Sequence, residues 1–177
     1  MFVRWSAAIA AAILLSSPVL LQGASAADKP TDPQIAHIAY TAGVLDIAAA
    51  KQALAKSKNA QVRAFAQEMV RDHQAVNDKA LALVKKLGVT PQDNPTSESL
   101  EAAAKQKLAD YGRLSGHAFD VAYAKNEVAY HQTVNGALQS TLIPNAQNAE
   151  LKSLLQTGLK LFQMHEQHAE QLVAALK

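Results

Sequence analysis

Histidine interrupts an apolar helical stripe on three separate stretches of this chain. Val62, Ala66, Met69, His73, Val76, Ala80, Leu83 and Leu87 recur at steps of four and three, the spacing of one buried helix face. Every member except His73 is apolar, and Asp72 is its immediate neighbour. Val121, Ala124, Val128, His131, Leu138 and Leu142 make a second stripe, with Asp120, Tyr123 and Glu127 alongside. Leu151, Leu154, Gly158, Leu161, His165, His168, Leu172 and Ala175 make a third. A titratable group on a buried face costs free energy unless it is paired, hydrogen-bonded or bound to a metal.

The chemistry that suits such residues is coordination of a first-row transition metal. Imidazole with carboxylate fits iron, zinc, manganese or copper, and the absence of cysteine removes thiolate sites. Glu127 and His131 are four apart, and His165 and His168 three apart, so each pair can point into one site from one helix face. The expected ligands are His73, Glu127, His131 and His165, with Asp46, Asp72 and Tyr123 in support. Asp72 could orient the imidazole of His73 or of a neighbour. The rival reading is a polar network that fixes helix register, with the Tyr123 hydroxyl bonded to Glu127 or Asp46. A di-iron carboxylate centre would need Glu-x-x-His on two helices, but Val70, Val128 and His165 stand three residues before His73, His131 and His168. Ferroxidase chemistry is therefore not expected. Neither a serine–histidine–acid arrangement nor a phosphate-binding glycine loop is present. No catalytic residue is assigned.

Four long helices must position these residues. Asp32 followed by Pro33 reads as an N-cap with proline at the first helical position. The first helix runs to about Lys56, with Ile35, Ile38, Ala42, Leu45, Ala49 and Ala53 inward and Asp46 at the edge of that stripe. Asn59 caps the second helix, which ends at Leu87 with Gly88 as a left-handed cap. Pro91 and Pro95 mark a loop, residues 97–111 a short helix, and Gly112 and Gly116 a break before a third long helix. That helix continues to about Ser140. Pro144 and Asn145 close it and start the fourth, which runs nearly to Lys177.

Helix rise is about 1.5 Å per residue, so sequence offsets convert to heights. Simple up-down-up-down connectivity would leave His165 and His168 well below His73 and Glu127. A crossover through the loop and short helix makes the second and third long helices parallel, and gathers all the polar groups into a band of about 15 Å. The expectation is thus an all-α, ferritin-like four-helix bundle with a short extra helix in the crossover.

Arg4, the apolar run from Trp5 to Leu21, and Ala24-Ser25-Ala26 form the pattern of a secretory signal peptide. The run is short for an uncleaved membrane anchor. The expectation is a signal peptide at 1–26, a single mature domain at 27–177, and a periplasmic location. No second apolar run could span a membrane. Without cysteine, an exported chain must be held by its core. A net charge of +2 without a basic block argues against nucleic acid as a partner. A homo-oligomer stays open, and no motif names a protein partner.

The segment Phe65-Ala66-Gln67-Glu68-Met69-Val70-Arg71-Asp72-His73 resembles the second-helix signature of the bacterial exported family called domain of unknown function 4142. Leu114-Ser115-Gly116, with Phe119-Asp120, Tyr123 and His131, resembles that family's third-helix signature, and His165 matches near the end of the fourth helix. The resemblance covers nearly all of the mature chain. It implies a ferritin-like four-helix fold and export to the periplasm or outer envelope, and no established activity. Where the family usually has glutamate on the first helix this chain has Asp46, a shorter reach, and His168 falls outside the family pattern. The functional expectation is an exported helical bundle that binds a transition-metal ion. The alternative is a non-enzymatic envelope protein with a structural polar core and a protein-interaction surface.

Overall fold

Alanine-rich, glycine-poor segments between strong capping residues give long helices. The computed structural model describes residues 29–177. It is all-α: α1 (Asp32–Lys56), α2 (Ala60–Leu87), α3 (Pro95–Gly112), α4 (Gly116–Ala137) and α5 (Ala149–Ala175), with no strand among the described residues. The expected signal peptide at 1–26 and its cleavage site lie outside the described residues.

The caps account for most of the boundaries. Asn59 Oδ1 accepts from the amides of Gln61 and Val62. Asn94 Oδ1 accepts from those of Thr96 and Ser97. Gly88 closes α2 at φ 63°, where a side chain would be strained. Asp32, expected to cap α1, does not. Thr31 holds that position, and its amide donates to Gln34 Oε1. The Asp32 carboxylate instead accepts from the amides of Gln147 and Asn148, which ties the start of α5 to the start of α1.

The third long helix closes at Asn145, as expected, but by another route: past Ala137 it runs through a widened π turn, Leu138–Leu142, and a short turn, Ile143–Asn145. In the widened turn the Ile143 amide reaches back five residues to the Leu138 carbonyl. Proline lacks an N–H and crowds the carbonyl four residues before it, and a π turn relieves both. Asn148, not Asn145, caps α5 through the amides of Glu150 and Leu151.

Side-chain contacts fix the directions. α1 and α2 form an antiparallel hairpin across Ser57–Asn59. α3 then runs parallel to α1: Gln92 N–H donates to the Pro33 carbonyl near its start, Gln52 Nε2 to the Leu108 carbonyl, and Lys56 Nζ to the Gly112 carbonyl at its end. α4 runs back, with Lys56 over Phe119 and the Tyr130 hydroxyl donating to the Ala42 carbonyl. It is therefore parallel to α2, as the crossover requires. Phe65 meets Tyr123 and His73 meets His131, an equal step along both helices. α5 returns antiparallel, bringing Phe162 onto His73 and His168 onto Phe65.

The core is two apolar clusters with a polar layer between them. One, around Ala50, Ala53, Val62, Phe65, Met69, Phe119 and Leu172, lies toward the α1–α2 turn. The other, around Ile35, Ile38, Leu138, Leu151, Leu155 and Phe162, lies toward the opposite end. Two expected stripes are rotated. On α4, Val121 and Val128 are only half-buried, while Phe119, Asp120, Tyr123, Glu127 and His131 are fully buried. On α5, Leu155, Phe162 and Ala169 replace Leu154, Leu161 and His168 on the buried face. Apolar residues flank both sides of these faces, so periodicity alone does not say which flank is innermost. Among the described residues no helix is long and apolar enough to cross a membrane.

Candidate metal centre

Five polar side chains meet in the layer between the two apolar clusters. Asp46 comes from α1, His73 from α2, Glu127 and His131 from α4, and His165 from α5, each at most 3% exposed. The sequence put Asp46 at the edge of its stripe, but it is buried as deeply as the apolar residues around it. The three imidazoles form a near-equilateral triangle, with centroids 5.7 Å apart for His73–His131, 5.3 Å for His73–His165 and 5.5 Å for His131–His165. One donor atom from each histidine lies within 4.8 Å of the other two, and the same holds for Asp46, Glu127 and His131. His131 belongs to both groups and links them. Asp46 Oδ2 is 3.4 Å from His73 Nε2 and 3.6 Å from His131 Nε2.

Hydrogen bonds outside the cluster orient two of the rings. His131 Nδ1 is 2.9 Å from the Glu127 carbonyl, to which it donates, leaving the Nε2 lone pair directed inward. His165 Nε2 is 3.1 Å from Asp72 Oδ2, leaving Nδ1 as the inner nitrogen. A carboxylate behind a histidine is the arrangement that fixes ring orientation and raises basicity in metal sites. Asp72 is itself gripped by Arg71 at 2.7 Å. His73 has no such bond on either nitrogen and is held by stacking on Phe162, at 4.6 Å and 11°.

The inner imidazole nitrogens have no hydrogen-bonding partner. The protonated Glu127 carboxyl shares a hydrogen bond with Asp46, whereas both nitrogens of His73, His131 Nε2, His165 Nδ1 and the Tyr123 hydroxyl are buried and unpaired. Native interiors hold few such atoms, and rarely several in one place, because each costs about 1–3 kcal/mol. Burial pushes Asp46 up to about 7 and Glu127, further raised by the Asp46 charge, well above the usual carboxylate range. It pushes His131 down to about 4 and lowers His73 and His165. The imidazoles are therefore neutral at physiological pH, the form that binds metal.

Residues 17–172 match the profile of one protein family. The chain belongs to the family described as a domain of unknown function, DUF4142. No curated protein and no solved structure matches it.

Within this DUF4142 chain all seven residues singled out from the sequence lie in or against the layer, in different positions. Tyr123 lies on the buried face one turn from Glu127, its hydroxyl unpaired rather than bonded to Glu127 or Asp46. Asp72 sits behind His165, not His73, at the half-buried α2–α5 boundary. His168 stays outside, exposed and 2.7 Å from Glu68. Thr41, Asn77, Asn135 and Tyr111 are among the buried polar residues that sequence reasoning did not single out. Asn77 and Asn135 lie four residues beyond His73 and His131, so continuing each stripe by one turn would have found them.

Proposed function

We propose that the protein is an exported, ferritin-like four-helix bundle that binds one first-row transition-metal ion in its interior. The ligands are His73, His131, His165 and Asp46, with Glu127 beside them, Asp72 orienting His165, and Tyr123 lining the site. The observation that carries this reading is the convergence of fully buried imidazole nitrogens, unpaired on their inner side, and buried carboxyls from four helices. A cation would satisfy the three imidazoles together, whereas a purely structural network would be expected to pair them with its own members. Three imidazoles and a carboxylate suit zinc, iron, manganese or copper.

The test is a thermal melt of chelator-treated protein with each of these metals added in turn. A ligand bound only by the folded state stabilises by about 2.7 kcal/mol at a hundredfold excess over Kd, about 5–10 °C for a chain of this size. His73→Leu is the informative variant. It replaces two unpaired nitrogens with apolar atoms of similar volume, so the metal-free variant should melt no lower than wild type. It should lose most of the metal response. A wild type indifferent to every metal, or a variant that responds equally, overturns the reading. Because burial holds His131 near 4, proton competition at that ring sets in toward pH 4 rather than near 6.

A further inference from the structure

The seam between α2 and α5 carries a second set of metal-binding groups, on the solvent side of the interior layer. Glu68 and Asp72 stand one turn apart on α2, and α5 runs antiparallel beside them. His168 therefore meets Glu68, and His165 meets Asp72. One ligand atom from each of Glu68, Asp72 and His165 lies within 4.8 Å of the other two. The set is a buried imidazole with two carboxylates, not a patch of acids alone. The Glu68 side chain is 27% exposed and that of Asp72 18%, so solvent reaches both, unlike the interior carboxyls of Asp46 and Glu127.

Each carboxylate is also held by a neighbour outside the set. His168 Nδ1 is 2.7 Å from Glu68 Oε2, and Arg71 Nε donates to Asp72 Oδ1 at 2.7 Å. Partners of this kind orient metal ligands. All three groups stand on helices whose register is fixed by packing, Phe65 against His168 and His73 against His165. The His165 ring belongs to both sets, with Nδ1 toward the interior triangle and Nε2 toward the seam.

We infer that Glu68, Asp72 and His165 Nε2 form a second, solvent-facing site that captures a divalent first-row transition-metal ion such as zinc. Imidazole with carboxylate is a donor set for that class of ion. Three protein ligands leave the remaining positions to water, which keeps the ion exchangeable. Nε2 accepts the metal once its proton has moved to Nδ1 or to solvent. Because the ring is shared, the seam is where an ion bound for the interior would be taken up. That entry role rests on the metal centre proposed above, whereas binding at the seam does not.

The test is made in the His73→Leu protein, which lacks an interior ligand whether or not the interior centre exists. Chelator-treated and titrated with zinc by calorimetry, it should bind one ion per chain. Adding Glu68→Gln keeps the shape of the side chain and removes a ligand, and should weaken zinc about tenfold or more. Adding Arg71→Ala instead removes an exposed guanidinium that competes for Asp72. Zinc should then bind about threefold more tightly, the worth of a surface ion pair, a gain that purely structural pairing would not produce. No uptake of zinc, an affinity unmoved by Glu68→Gln, or no tightening in Arg71→Ala would each overturn the inference. The melts of the wild type decide the interior centre separately.

Discussion

At the scale of single residues, the centre is a set of groups whose preferred protonation states have been moved in opposite directions. Burial raises Asp46 to about 7 and lowers His131 to about 4. Each shift is a statement about stability. A carboxyl raised from about 3.9 in the unfolded chain binds its proton more tightly when folded. Its contribution is fully present below about pH 3.9 and is lost as pH rises through 7. A depressed histidine has the opposite sign: its contribution is present above about pH 6.5 and is lost as pH falls toward 4. Asp46→Asn removes the first effect and leaves the histidines in both proteins. The melting temperature of the metal-free variant relative to wild type should therefore climb by several degrees between pH 4 and 7 and level off above. Melts at half-unit steps check this, and a flat difference would mean that Asp46 titrates like a solvent-exposed carboxyl.

At the scale of elements, the layer depends on how closely α1 and α2 approach. Gly43 is the point of contact. A Cβ built there would overlap Asn77 Oδ1 and stand 3.0 Å from its Cγ and Nδ2. Asn77 is 3% exposed and sits one turn below His73, so it has little room to retreat. Gly43→Ala should cost about 1–3 kcal/mol, net of alanine's better helix propensity. Gly43→Ala with Asn77→Ala should recover most of that loss, as a double-mutant cycle by denaturant unfolding would show. Additive losses would place the strain elsewhere. The same approach positions Asp46, three residues further along α1, against His73.

At the scale of the whole molecule, α3 decides the arrangement. By running the length of α1 it returns the chain to the α1–α2 turn before α4 begins, so α2 and α4 are parallel and His73 and His131 stand at one height. Nothing covalent holds this arrangement, since the chain has no cysteine. A metal joining four helices would act as the cross-link. Export belongs to this scale too. Intact-mass measurement of the secreted protein should give a chain that starts at Ala27, after Ala24-Ser25-Ala26. A mature mass that retains residues 1–26 would reject the proposed signal peptide.

The sequence by itself determined the helices, the caps of α2 at Asn59 and Gly88, and the family. Asn59, Gly88, Gly112 and Gly116 act over a few residues, and local chemistry of that kind is legible without a partner. It also singled out His73, His131 and His165, because a polar residue at a core period stands out wherever the helix packs. Tertiary structure decided the rest. Whether Asp46 lies at the edge or the centre, and whether Val128 or Glu127 faces inward, depends on a rotation of each helix about its axis by less than one residue's 100°. That rotation is set by the neighbouring helices, not by the helix itself. Asp32 shows the same limit. It reads as a local cap, yet its carboxylate bonds amides at Gln147 and Asn148, a pairing that exists only once α1 and α5 have been brought side by side.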